Sequence, residues 1–140
     1  MNAVQLIQKH EGLRLTPYRD SRGKLTIGYG RNLEDRGITA MEALMLLQAD
    51  FTEVYNHALG WSWFRLLNLP RQAVILDMAF NLGVGGFLKF ERLIDALQRG
   101  DYAAAAAEML NSAWAHEVGD RALEDAQIMD TGAWPAGGES

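Results

Sequence analysis

The chain has 140 residues, 49% apolar and 22% charged, with a formal net charge of −5 and no cysteine. That size and apolar content suit one independently folding domain with a real core, and the missing cysteines exclude a disulfide framework and a thiol nucleophile. No basic segment leads into an apolar run at the N-terminus, and no stretch approaches the roughly 18 apolar residues of a membrane span. The expected product is therefore cytoplasmic, without its own export signal. His10, His57 and His116 are scattered without ligand-like spacing, so no metal and no cofactor is expected.

Val4, Leu6 and Ile7 form a short helical stripe within Asn2 to His10, and Gly12 supplies the left-handed cap that ends such a helix. Glu11 is thereby placed at a helix C-terminus. Leu13 and Leu15 then alternate with polar neighbours, Asp20-Ser21-Arg22-Gly23 is turn chemistry, and Leu25-Thr26-Ile27 alternates again, which predicts a β-hairpin. Gly28 and Gly30 bracket Tyr29 in the returning strand and imply either a close approach by backbone or ligand, or a bulge.

Thr39-Ala40-Met41-Glu42 is a capping box, followed by Leu44, Leu47, Phe51, Val54, Tyr55 and Ala58 at helical spacing until Gly60. This predicts one helix of roughly 30 Å, long enough to link a hairpin lobe to a helical one. Trp61, Trp63, Phe64, Leu66 and Leu67 make a short aromatic segment, and Pro70 starts a helix that is apolar on nearly every side from Gln72 to Leu82 and ends at Gly83. Phe87, Phe90, Leu93, Ile94 and Leu97 form the next stripe, stopped by Gly100. Asp101 caps an alanine-rich helix to Leu110, and Leu123, Ala126 and Met129 mark a last one before Thr131-Gly132. The predicted class is α+β: a small antiparallel sheet lobe over about 12–34, and a mainly α-helical lobe over about 60–134 that includes the first helix. The long helix joins them, a cleft lies where they meet, and 135–140 is a flexible tail.

Charge is unevenly spread. Met1 to Leu33 holds six basic residues against Glu11 and Asp20, a balance of +4, whereas Glu117 to Ser140 holds six acids against Arg121 alone. The hairpin face could thus attract an acidic polymer despite the overall sign.

The negative end of the helix macrodipole disfavours a further negative charge, which suits Glu11 to donate a proton. Asp20, beside a turn and near several donors, suits the charged role, and the Thr26 hydroxyl can hold a water with it. These are the parts that glycoside hydrolysis requires. Singly, each has an ordinary explanation: a solvent-facing helix end, a side chain bonded to its own turn, and a β-branched strand former.

Together they carry a family pattern. E-G-L-R-L from Glu11, Asp20 nine residues on, and T-I-G-Y-G from Thr26 to Gly30 resemble the phage-type lysozymes of glycoside hydrolase family twenty-four, the T-even phage group. The resemblance continues through Phe80-Asn81-Leu82-Gly83, Trp114, Arg121-Ala122 and Thr131-Gly132-Ala133-Trp134, from Asn2 to Trp134. It implies a lysozyme-like fold and an inverting muramidase acting on peptidoglycan glycan strands, with Glu11 as general acid and Asp20 and Thr26 positioning water. It further implies substrate-binding or supporting roles for Gly28, Gly30, Arg31, Phe80, Asn81 and Arg121, with Arg121 matching an arginine that faces the catalytic glutamate. The implied setting is a phage or prophage endolysin, monomeric, without nucleic acid partners, that reaches the wall through a separate holin. A catalytically weakened glycan-binding or phage structural module on the same fold is the alternative. Three departures from the pattern favour it: Arg31 where many members have histidine, Phe90 where a small polar sugar contact is common, and an acidic last helix from Ala122 to Asp130.

Overall fold

A computed structural model describes residues 1–137, so 138–140 of the predicted tail lie outside the described residues. The chain divides into two compact units, Met1–Leu47 and Gln48–Ser140.

The first unit opens with α1 (Ala3–Glu11), started by a box the sequence reading did not include: Asn2 accepts from Gln5 N–H, and the Gln5 side chain returns to Asn2 N–H. Gly12 ends α1 at φ +72° and ψ 158°, positive in φ as expected but extended in ψ, so the chain leaves straight into a strand. Strands β1 (Arg14–Arg19), β2 (Leu25–Gly28) and β3 (Arg31–Asn32) form one antiparallel sheet in that order. Tyr18 faces Thr26 and Thr26 faces Asn32, so Thr26 occupies the central strand with a neighbour on both sides. The register slips between Arg14 and Tyr18, a bulge in β1. Helix α2 (Ala40–Ala58) starts as predicted: Thr39 N–H donates to Glu42 Oε1 and Glu42 N–H donates to Thr39 Oγ1. The boundary between the units falls inside α2.

The second unit is all helix among its described residues: α3 (Ser62–Arg65), α4 (Leu69–Leu82), α5 (Val84–Phe87), α6 (Glu91–Gln98), α7 (Tyr102–Leu110), α8 (Ala113–Val118) and α9 (Asp120–Thr131). The apolar helix read from Gln72 to Leu82 is α4, whose Val74, Ile75, Met78 and Ala79 are buried among Phe64, Phe87, Leu93, Met109 and Met129. Asn68 caps it, and Pro70 is its second residue. The single stripe predicted from Phe87 to Leu97 is two helices, because Phe87 closes α5 and the chain turns through Phe90 before α6 begins. In α9, Ala126 and Met129 are core, but Leu123 is 58% exposed and belongs to the outer face.

A candidate active site in the sheet unit and its counterpart residues in the helical unit

Glu11 is the last residue of α1, as the helix-end reading required. Its carboxyl lies against the β2–β3 turn at Gly30: a Cβ built on Gly30 would stand 2.7 Å from Glu11 Oε2 and 3.0 Å from its carboxyl carbon. Gly30 is closely approached, but by the Glu11 side chain and not by the backbone or ligand expected from the sequence. Gly30 also has φ +80°, a conformation that L side chains rarely adopt. Gly28 has φ +71° with open space around it, so there the need is for the bend itself. Gly30→Ala is expected to lose about 1–3 kcal/mol of stability from the strained backbone and to lower activity at least about tenfold by displacing the Glu11 carboxyl. Chemical denaturation and the rate of reducing-end release check the two parts.

Asp20 opens the hairpin turn, and its Oδ1 accepts from the N–H groups of Arg22, 2.8 Å, and Lys24, 2.9 Å. Asp20 N–H pairs with Lys24 C=O and Gly23 N–H with Asp20 C=O, so the turn is held by both backbone and side chain. Its ordinary role in the turn is thus real, and among the described residues it is filled through Oδ1. Oδ2 accepts no hydrogen bond from these residues. Thr26 is the one buried residue of the first unit among those described, at 2% exposure, and its hydroxyl donates to Lys24 C=O over 2.9 Å. With the proton so used, the oxygen keeps acceptor capacity. Asp20 and Thr26 meet through Lys24, whose N–H serves one and whose C=O serves the other.

Arg31 makes a two-pronged contact with Glu42, Nη1 to Oε1 at 2.8 Å and Nη2 to Oε2 at 2.6 Å, and a third bond to Gly37 C=O. The Arg31 guanidinium, helped by the Thr39 N–H, holds the Glu42 carboxyl well below the usual range, at about 2. The Arg31 guanidinium is thereby committed to contacts within the protein. The same pairing revises the reading of local charge: Arg19 binds Glu34, Lys24 binds Asp35 and Arg31 binds Glu42, so three of the six cations are matched by acids just beyond Leu33.

The remaining candidates lie in the helical unit. Phe80, on α4, is 39% exposed and borders a cavity of about 290 Å³ with Asp50, Glu53, Val54 and His57, so it is an exposed wall residue. Asn81 accepts from Trp114 Nε1 at 2.9 Å, which fixes two positions of the family pattern to each other. Arg121, at the start of α9, grips Asp77 of α4 through Nε and Nη2, at 2.9 and 2.6 Å. Asp125, one turn further along α9, is only 7% exposed, and its Oδ2 has no hydrogen-bond partner among the described residues. Burial, with the Asp77 carboxylate beside it, pushes Asp125 up to about 8. Burial opposes the charge on Asp77 too, but the hydrogen bonds from Arg121 and Asp125 outweigh it and hold that carboxyl below its ordinary value. Sequence reading passed over this pair. The available signal was Asp77 itself, a single charge in the apolar run from Gln72 to Leu82, since a charge on a core helix demands a partner.

The family described as phage lysozyme matches residues 8–126, which takes in Glu11, Asp20, Thr26 and Arg121. The chain belongs to the phage lysozyme family. As a family member it is a glycoside hydrolase of α+β fold. It is 33% identical to the endolysin of Acyrthosiphon pisum secondary endosymbiont phage 1, with 83% of this chain and 80% of that protein covered. It is 26% identical to probable T4-type lysozyme 1 of Dictyostelium discoideum, covering 91% and 92%. It is also 27% identical to the pre-baseplate central spike protein Gp5 of Enterobacteria phage T4 over 94% of this chain, which spans only 28% of that longer protein.

Proposed function

We propose that this phage lysozyme is a muramidase hydrolysing the β-1,4 bond between N-acetylmuramic acid and N-acetylglucosamine in peptidoglycan, with inversion at the anomeric carbon. Glu11 delivers a proton to the leaving oxygen. Asp20, through the oxygen its turn leaves free, takes a proton from a water that also donates to Thr26, and the water attacks the opposite face of the sugar. The observation that supports this reading most directly is the seating of the Glu11 carboxyl on Gly30, in the same sheet unit as Asp20 and Thr26 and within the family match. An endolysin role in host lysis, with monomeric protein made in the cytoplasm and released through a holin, accompanies it. Among the described residues no helix is long and apolar enough to cross a membrane.

The test is the chemistry of the new ends. Purified peptidoglycan is digested and the products are reduced and analysed by mass spectrometry; reduced muramic acid at the new termini is expected, glucosamine ends would refute the assigned bond, and 1,6-anhydro muramic ends would refute attack by water. Proton NMR of the first product follows the anomer, and retention would refute the water-holding role of Asp20 and Thr26. The match to a short part of the T4 spike protein supports a second reading, a wall-binding structural module. Binding to insoluble peptidoglycan without release of reducing ends at any pH or salt would favour it.

A further inference from the structure

Glu42 does more than start α2. Its carboxylate receives Thr39 N–H at 2.9 Å and both terminal nitrogens of Arg31, and Arg31 also binds Gly37 C=O at 3.2 Å. Glu42 therefore ties the first residue of β3 to the first turn of α2, and Gly37 of the intervening loop is held through Arg31. Arg31 begins β3, pairs with Ile27 of β2, and directly follows Gly30, whose Cα side is packed against the Glu11 carboxyl. A bidentate guanidinium–carboxylate contact fixes orientation as well as distance, which a single ion pair does not. The side of Gly30 that faces Glu11 is thus braced one residue away by a clamp whose other jaw is a helix start.

We propose that Glu42 is a positioning residue for the general acid, acting through Arg31 to hold the β2–β3 turn, and with it Gly30, against Glu11. The inference rests on the assignment of Glu11 as the acid. A loosened turn lets the carboxyl sample orientations in which its proton does not point at the leaving oxygen, so turnover falls while binding of the glycan is spared.

The experiment measures kcat and KM on a soluble peptidoglycan glycan fragment for the parent, Glu42→Gln, Arg31→Lys and Thr39→Ala. Thr39→Ala removes the other half of the capping box without touching Arg31, so it controls for loss of the helix start. Glu42→Gln and Arg31→Lys are expected to lower kcat about tenfold with KM within about twofold, and the double variant to be no worse than the poorer single one. Thr39→Ala is expected to lower the melting temperature and leave kcat unchanged. The carboxyl carbon signal of Glu11 should move in Glu42→Gln and stay in place in Thr39→Ala. Unchanged kcat in both clamp variants, or an equal fall in Thr39→Ala, overturns the proposal; should Glu42→Gln not fold, Arg31→Lys against Thr39→Ala decides it alone. Full activity of a folded Glu11→Gln variant would instead remove the acid assignment on which the clamp depends, so the two failures are distinguishable.

Discussion

Glu11→Gln is expected to lower the rate of reducing-end release by about 10²–10⁴-fold while leaving the fold and the binding of insoluble peptidoglycan intact. Glutamine matches glutamate in shape, so the contact with Gly30 survives; what disappears is a group able to give up a proton as the glycosidic bond breaks. The same change should raise stability slightly, by at most about 1 kcal/mol, because a carboxyl in the last turn of α1 can take on a negative charge against the negative end of the helix dipole and an amide cannot. Opposite signs for activity and stability identify a residue kept for chemistry at some cost to the fold. A fall in both would indicate that the substitution had damaged the sheet unit. Equal clearing of wall suspensions by parent and variant would show that another group is the acid. Glu11→Asp adds a geometric test, since withdrawing the carboxyl by one methylene keeps the acid but misplaces it, with an expected loss of about 10²-fold.

Much of this arrangement is legible in the sequence because it is local. The end of α1 at Gly12, the turn at Asp20 to Gly23, the Thr39–Glu42 box and the Asp101 cap each depend on residues within four positions of one another, and each appears where backbone chemistry puts it. Periodicity carried the apolar helix α4 for the same reason, since its burial is written on every side of it. It did not carry the break between α5 and α6: Phe87, Phe90 and Leu93 all face apolar surroundings, so the stripe continues across a bend that only tertiary packing creates.

Long-range pairings were the opposite case. Glu42 reads as a cap from its neighbours, and its hold on Arg31, eleven residues away, is set by the path of β3. Counting charge up to Leu33 made the hairpin basic, whereas Glu34, Asp35 and Glu42 lie just past that limit and fold back onto it. The trio Glu11, Asp20 and Thr26 was recognisable only as a pattern, because each member also has an ordinary structural task. Asp20 and Thr26 demonstrably perform theirs, on Lys24. The Asp77–Arg121–Asp125 group joins α4 to α9 across 44 residues or more, and nothing local to Asp125 distinguishes it from the other acids of that helix.

That group sets the second large expectation, a stability that declines as pH rises. Asp125 titrates near 8 in the folded chain and near its ordinary value of about 4 in the unfolded one, so between those limits the native state holds a proton that the unfolded state has released. Its contribution is complete below about pH 4, fades through the window, and is lost once pH passes about 8. Asp77 works in the other direction: its folded value is depressed, so its contribution is present above its ordinary value and is lost as pH falls through the folded one. A single proton corresponds to at most about 1.4 kcal/mol per pH unit. Coupling to Asp77, and the solvent that reaches this pair from a cavity of about 490 Å³ beside Arg121 and Trp134, reduce the total to about 1–3 kcal/mol between pH 5 and pH 8. Asp125→Asn imitates the protonated carboxyl, offering an N–H to Asp77 without a titrating group. Denaturant unfolding at both pH values should show the parent losing stability toward pH 8 and Asp125→Asn nearly level, with the variant the more stable of the two at pH 8. A parent that is equally stable at both, or a variant that keeps the slope, would show that Asp125 is already ionised across this range. Asp77→Asn is the counterpart: it strips Arg121 of its partner and removes the carboxylate that helps keep the proton on Asp125, so it should destabilise the helical unit where Asp77 is ionised, above about pH 4.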